Sequence, residues 1–327
     1  MNFILNLDTP LDFFGFLLVL CVVFVNGFTD APNSVQSAIK SRALSYRQAL
    51  ILSSVFNFFG VLFSSYLFFS VGKSVGALGE ITDARYGGAV SCACLLTVII
   101  VGVLAWALKM PSSESHALLF SLIGAKLSIG NIVDFNLNDL FFIIFCMVFS
   151  SFFAYALSCA VNKLSPKWLK PKKACLIISC SSLSFMHGAQ DGQKLLAILL
   201  ILQGASVNKS GAPPIACVLL VATVISISTL FCGKRILHSI DKISENSDTS
   251  SGFFADISAF ITLLCCLLLG MPVSTGNVKS ASVFGGEPTP SKENKKVITR
   301  IFLASIITLP ISFFFGFILC KALLLFM

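Results

Sequence analysis

Charge is scarce in this chain. Asp, Glu, Lys and Arg make up only 12% of its 327 residues, about half the ~25% of an ordinary soluble domain. The length could hold two soluble domains, but too few polar residues exist to cover their surfaces. No C-x-x-C pair and no Cys/His ligand spacing occurs, so the cysteines carry no metal or redox pattern. Cys21, Cys146, Cys217, Cys265 and Cys266 sit inside apolar runs, where cysteine behaves as a small hydrophobe. No G-x-x-x-x-G-K-[ST] loop occurs, which argues against ATP-driven pumping by this chain. No nucleophile–base pair with catalytic spacing stands out, so neither an enzyme nor a cofactor is expected. No Lys or Arg precedes the first apolar run, where Asp8 and Asp12 stand. That is opposite to the basic start of a signal peptide and suggests an N-terminus on the outside.

What the chain does have is apolar: 56% hydrophobic residues, 32 of them Phe. Long apolar segments lie at about 11–28, 48–71, 86–108, 139–162, 173–186, 213–232, 254–270 and 297–326. A spanning helix needs about 20 residues, so most of these cross outright. The 173–186 run reaches that length only if the polar patch 186–194 and the run 195–203 complete it, which predicts a broken helix. Half-length candidates follow prolines at 112–129 and 273–285. Counting these, each half holds about five segments. The net charge of +8 then reports topology rather than a nucleic-acid surface. Most Lys and Arg fall in the loops around 40–47, 109, 163–173, 234–242 and 292–300, all on one side if the chain starts outside, as the positive-inside rule requires. Both termini are then outside.

Two short motifs recur. NGFTDAPNS (26–34) and MHGAQDGQK (186–194) both read Gly-x-x-Asp after an apolar run, with Asp30 and Asp191 161 positions apart. KMPSSESH (109–116) and GMPVSTGN (270–277) share Met-Pro-x-Ser, and Pro111 and Pro272 are separated by the same 161. Two coincidences at one offset predict two homologous halves, 1–163 and 172–327, joined by a basic linker at 164–171. An odd number of crossings per half makes the second enter from the opposite side. The expected fold is an all-α polytopic membrane protein of two inverted-topology repeats with broken or re-entrant helices. Such repeats hold their substrate near the midplane.

An ionisable group inside hydrocarbon costs about 2.5–3.5 kcal/mol on insertion scales, so the motif acids need partners. Asp30 and Asp191 are candidates for a cation or proton site. Ser113 to Ser115, and Ser274 with Thr275, each follow a proline and open a helix. Helix N-termini offer free N–H groups and partial positive charge, which suits an oxyanion. Glu114 is a third acid and a candidate proton site. Lys194 offsets Asp191 or an anion; Asn33 stands at its matching offset. His116 and His187 lie at the motifs, and Lys279 two residues beyond the last.

At these residues the chain resembles the inorganic phosphate transporter (PiT) family, marked in each half by G-x-N-D-x-x-N-type and P-x-S-T-T-H-type segments. The resemblance implies a cation-coupled symporter of inorganic phosphate, working by alternating access in the plasma membrane. It implies that Asp30 and Asp191 serve the coupling ion, sodium included, and the substrate; by their own chemistry Thr29 and Gln190 can add a coordinating oxygen to the coupling-ion site, and Glu114 a proton site. It implies phosphate contacts from Ser113, Ser115, Ser274, Thr275, Asn33, Gln193 and Lys194. Thr29 and Gln190 stand where the family has Asn, Glu114 where it has a hydroxyl, and Gly276 and Asn277 where it has Thr-His. The departures keep proton coupling open beside sodium, and leave a sulfate or related oxyanion permease as the alternative. Membrane lipid is the expected surrounding and nucleic acid is not a partner; a homodimer is left open.

Overall fold

A computed structural model describes residues 9–78, 86–107, 113–130, 137–165, 171–204, 212–231, 249–286 and 292–325. Among them every regular element is a helix and no strand occurs. The helices are α1 (Pro10–Lys40), α2 (Tyr46–Leu67), α3 (Ser70–Leu78), α4 (Gly87–Ala107), α5 (Glu114–Ser128), α6 (Leu137–Leu164), α7 (Lys173–Leu202), α8 (Ile215–Leu230), α9 (Thr249–Leu268), α10 (Thr275–Gly286) and α11 (Lys292–Leu324). Six of them, α1, α2, α4, α6, α9 and α11, contain stretches long and apolar enough to cross a membrane. The chain is a multi-pass membrane protein. α5 and α10, of 15 and 12 residues, are too short to cross. The basic linker lies largely outside the described residues.

Local sequence sets the helix starts. Thr9 and Asp12 form a capping box with Pro10 at the first helical position of α1, and Ser45 and Gln48 cap α2 in the same way. Beyond the caps, runs of Leu, Ile, Val and Phe satisfy their backbone internally, as hydrocarbon demands. The Phe-rich faces of α6 and α11, with Phe152 and Phe314 more than half exposed, are the surfaces turned to lipid.

A shift of 161 positions lays α1 on α7, α2 on α8, α4 on α9, α5 on α10 and α6 on α11. Glu114, the first residue of α5, falls on Thr275, the first of α10. Packing obeys the same exchange. α5 and α4 of the first half pack on α11 of the second, while α10 and α9 pack on α6. α1 packs on α8, and α7 on α2. Gly124 on α5 lies against the backbone of Phe313, leaving no room for a Cβ, and its counterpart Gly285 lies likewise against Tyr155. Such close approach is how helices gain contact where no hydrophobic force separates protein from lipid. The equivalent helices α1 and α7 run antiparallel: Gly15 early in α1 meets Leu202 at the end of α7, while Ser34 late in α1 bonds Ser184 mid-helix at 3.0 Å. The two halves are therefore inverted relative to each other.

The expected break at 186–194 does not occur. α7 is continuous through the polar patch, and α1 through Asp30. No proline interrupts residues 173–202, so the backbone ladder survives. The polar side chains are met instead by neighbouring helices, which hydropathy along the chain does not register. The discontinuous elements are the short α5 and α10.

Candidate functional site

Ser113 caps α5 by accepting from His116 N at 3.4 Å, and Ser274 caps α10 by accepting from Asn277 N at 3.3 Å. The two caps touch: Ser113 Oγ donates to Ser274 Oγ at 3.0 Å. One turn on, His116 Nε2 and Asn277 Nδ2 are 3.5 Å apart. Each contact joins a residue to its own counterpart 161 positions away, which happens only on a two-fold axis. The axis therefore runs between two opposed helix N-termini, where free N–H groups and partial positive charge converge.

The acids gather at this point. Asp191 is 1% exposed. Its Oδ1 pairs with the Lys194 ammonium and accepts from Ser115 Oγ at 3.4 Å, and its Oδ2 accepts from Thr275 Oγ1 at 3.0 Å. Lys194 Nζ also donates to Ser115 Oγ at 2.7 Å and to the Val273 carbonyl at 2.8 Å. Glu114, at the first position of α5, accepts from Thr29 Oγ1 at 2.8 Å and from Asn26 Nδ2 at 3.3 Å, and Asn26 Nδ2 also donates to Asp30 Oδ2 at 3.4 Å. Asp30, His187 and Asp191 bring ligand atoms within 4.8 Å of one another. One cluster thus joins Asp30, Thr29, Glu114, Ser113, Ser115, Asp191, Lys194, Ser274 and Thr275.

His187 is held between an amide and a carboxylate. Thr229 Oγ1 donates to the Ile225 carbonyl at 2.8 Å, so it accepts from Asn57 Nδ2 at 2.9 Å. Asn57 Oδ1 lies 3.1 Å from His187 Nδ1. The other ring nitrogen, Nε2, lies 3.3 Å from Asp191 Oδ2. A hydrogen on Nε2 satisfies this contact, and so does a cation held between the two groups.

Other expected residues point elsewhere. Gln193 accepts from Gly72 N at 3.1 Å and donates to the Phe68 carbonyl at 2.8 Å, tying α7 to the α2–α3 corner. Gln190 Nε2 donates to the Leu263 carbonyl of α9 at 3.3 Å. Lys279 pairs with Asp256, whose two oxygens also accept from Ser37 at 2.9 Å and Ser179 at 3.0 Å. Asp256, Asn57 and Asn26 were not among the expected residues. Asp256 is the lone acid in the apolar run 254–270, the signal that marks function by default inside a membrane, and Asn57 is an amide in the middle of the run 48–71. Asn26 stands 161 positions from His187.

Two small cavities of about 10 Å³ flank the cluster, each room for one water-sized particle. Asp30, Asn33, His187, Thr275 and Lys279 border one. Asp191, Lys194, Asn26, Glu114 and Leu118 border the other. Taken in that order, every residue of the first set is the counterpart of its fellow in the second. A larger cavity of about 380 Å³ opens between α6 and α11 behind His116 and Asn277 and is lined mainly by apolar and aromatic side chains.

The phosphate transporter family model matches the chain twice, over residues 26–174 and 165–316. A probable low-affinity inorganic phosphate transporter of Bacillus subtilis (strain 168) is 26% identical over 319 residues, covering 90% of this chain and 93% of the relative. One from Rhizobium meliloti (strain 1021) is 28% identical over 275 residues, covering 80% of each. A solved structure described as the sodium-dependent phosphate transporter superposes with a TM-score of 0.83 at 18% identity, covering 98% of this chain and 100% of that one.

Proposed function

Because the chain belongs to the phosphate transporter family, we propose that it carries inorganic phosphate across the plasma membrane together with a cation, sodium or proton. The observation that carries this reading is the meeting of the two helix N-termini at Ser113 and Ser274, 3.0 Å apart, beside the Asp30–His187–Asp191 cluster. The tips supply N–H groups and hydroxyls for the oxygens of a tetrahedral anion. Asp30, Glu114 and Asp191 bring three carboxyls, and Lys194 one ammonium. An anion cannot join that set unless cations or protons arrive with it, and this is the physical content of coupling. The sodium-dependent transporter of like fold supports sodium as one candidate ion. Glu114 favours phosphate over sulfate, because a carboxylate acceptor suits an anion that still carries protons at neutral pH. The inverted repeats support alternating access, with one bundle rocking on the other around the axis. The Lys and Arg loops support outward-facing termini.

Uptake of labelled phosphate into proteoliposomes tests the reading. A sodium or pH gradient drives accumulation, equimolar sulfate leaves it unchanged, and both Asp30→Asn and Asp191→Asn reduce it at least tenfold. Absence of gradient-driven uptake by folded protein refutes cation-coupled transport, and normal uptake by both variants refutes the site.

A further inference from the structure

Lys194 is 1% exposed and among the largest fully buried side chains among the described residues. Its ammonium is held by a carboxylate, a hydroxyl and a main-chain carbonyl: Asp191 Oδ1, Ser115 Oγ and Val273 O. These oxygens come from α7, from the first turn of α5 and from the extended segment before α10. Hard cations are held by such an all-oxygen set. One of the two small cavities adjoins it.

The counterpart cavity repeats the acid but not the ammonium. Asp30 stands for Asp191, and Asn33 for Lys194. The ammonium that borders this second cavity, Lys279, is paired with Asp256 and bonded to Ser37 at 3.4 Å. The duplicated site therefore holds one positive charge by a covalent tether on one side of the axis. On the other side the charge must come from solution.

We propose that Lys194 is a tethered cation that takes the place of one mobile coupling ion, so that each phosphate binds with one cation fewer than the duplicated pair of acids would otherwise require. This rests on the transport reading above. It concerns how many charges travel, which that reading leaves unstated.

The test is a linkage measurement on purified protein. Phosphate affinity is titrated against sodium at fixed pH and against pH at fixed sodium. The slope of log affinity on log cation concentration counts the cations taken up with phosphate. Lys194→Asn installs the residue of the counterpart position. The expected result is a summed slope larger by one: a tenfold rise in cation concentration strengthens phosphate binding about tenfold more in the variant than in the native chain. Binding lost at low cation concentration returns at high concentration. Equal slopes overturn this inference alone. So does a folded Lys194→Asn chain that binds no phosphate at any cation concentration while Lys194→Arg binds normally, which would put the ammonium on the anion. A native chain that binds no phosphate at all overturns both this inference and the transport reading.

Discussion

The two halves share a scaffold but not their chemistry, and the contrast is sharpest at one set of four positions. In the second half's surroundings, Asp256, Lys279, Ser37 and Ser179 form a buried polar network across α9, α10, α1 and α7. The counterparts of these residues, 161 positions away, are Leu95, Leu118, Ile198 and Leu18. All four are buried in one aliphatic core. The same backbone thus accepts a charged cluster on one side of the axis and a greasy plug on the other. The comparison teaches that the ion pair is not needed to hold this arrangement together. Replacing a buried ion pair by well-packed apolar residues is often neutral or stabilising, whereas removing one partner leaves a stranded charge.

That contrast can be broken experimentally. Asp256→Ala leaves Lys279 unpaired and is expected to cost about 3–5 kcal/mol, read from unfolding in detergent. The double variant Asp256→Leu with Lys279→Leu, which copies the opposite side, is expected to recover most of it. If the double variant is as unstable as the single one, the two sides are not interchangeable.

A smaller effect sharpens the shared part of the comparison. Gly124→Ala and Gly285→Ala each push a methyl group into the backbone of the opposing last helix. Overpacking of this kind costs about 1–3 kcal/mol, and the two losses should agree because the geometry is duplicated. Unequal losses would mean that the duplication stops short of the packing.

The smallest effect lies on the axis. Ser113→Ala and Ser274→Ala each remove a helix cap, at about 1 kcal/mol. The two caps share one hydrogen bond, so the double variant should lose less than the sum, measured by a double-mutant cycle.

Much of this architecture was legible from residue identity and spacing. Two motif pairs at a common offset announced the duplication, and Pro followed by Ser announced the two helix tips. The continuity of α7 was not legible. The apolar run before Met186 is short, and a scan along the chain charges the polar patch its full penalty without seeing Asn57, Ser115 or Thr275 across the gap. That error carried a second one. Once residues 186–194 form a helix, His187, Asp191 and Lys194 follow at i, i+4 and i+7 on one face. Gln193 then points away, to the α2–α3 corner where it bonds. Asp256 was passed over because it has no echo in the other half, and a search for repeats sees only what repeats.

The contact of Ser113 with Ser274 has a consequence for direction. The two serines present the same hydroxyl from either half, but their neighbours differ, Glu114 standing at the counterpart position of Thr275 and Ser115 at that of Gly276. Any difference between the two sides must come from groups that lack a twin, among them Glu114, Ser115, Lys194 and Asp256.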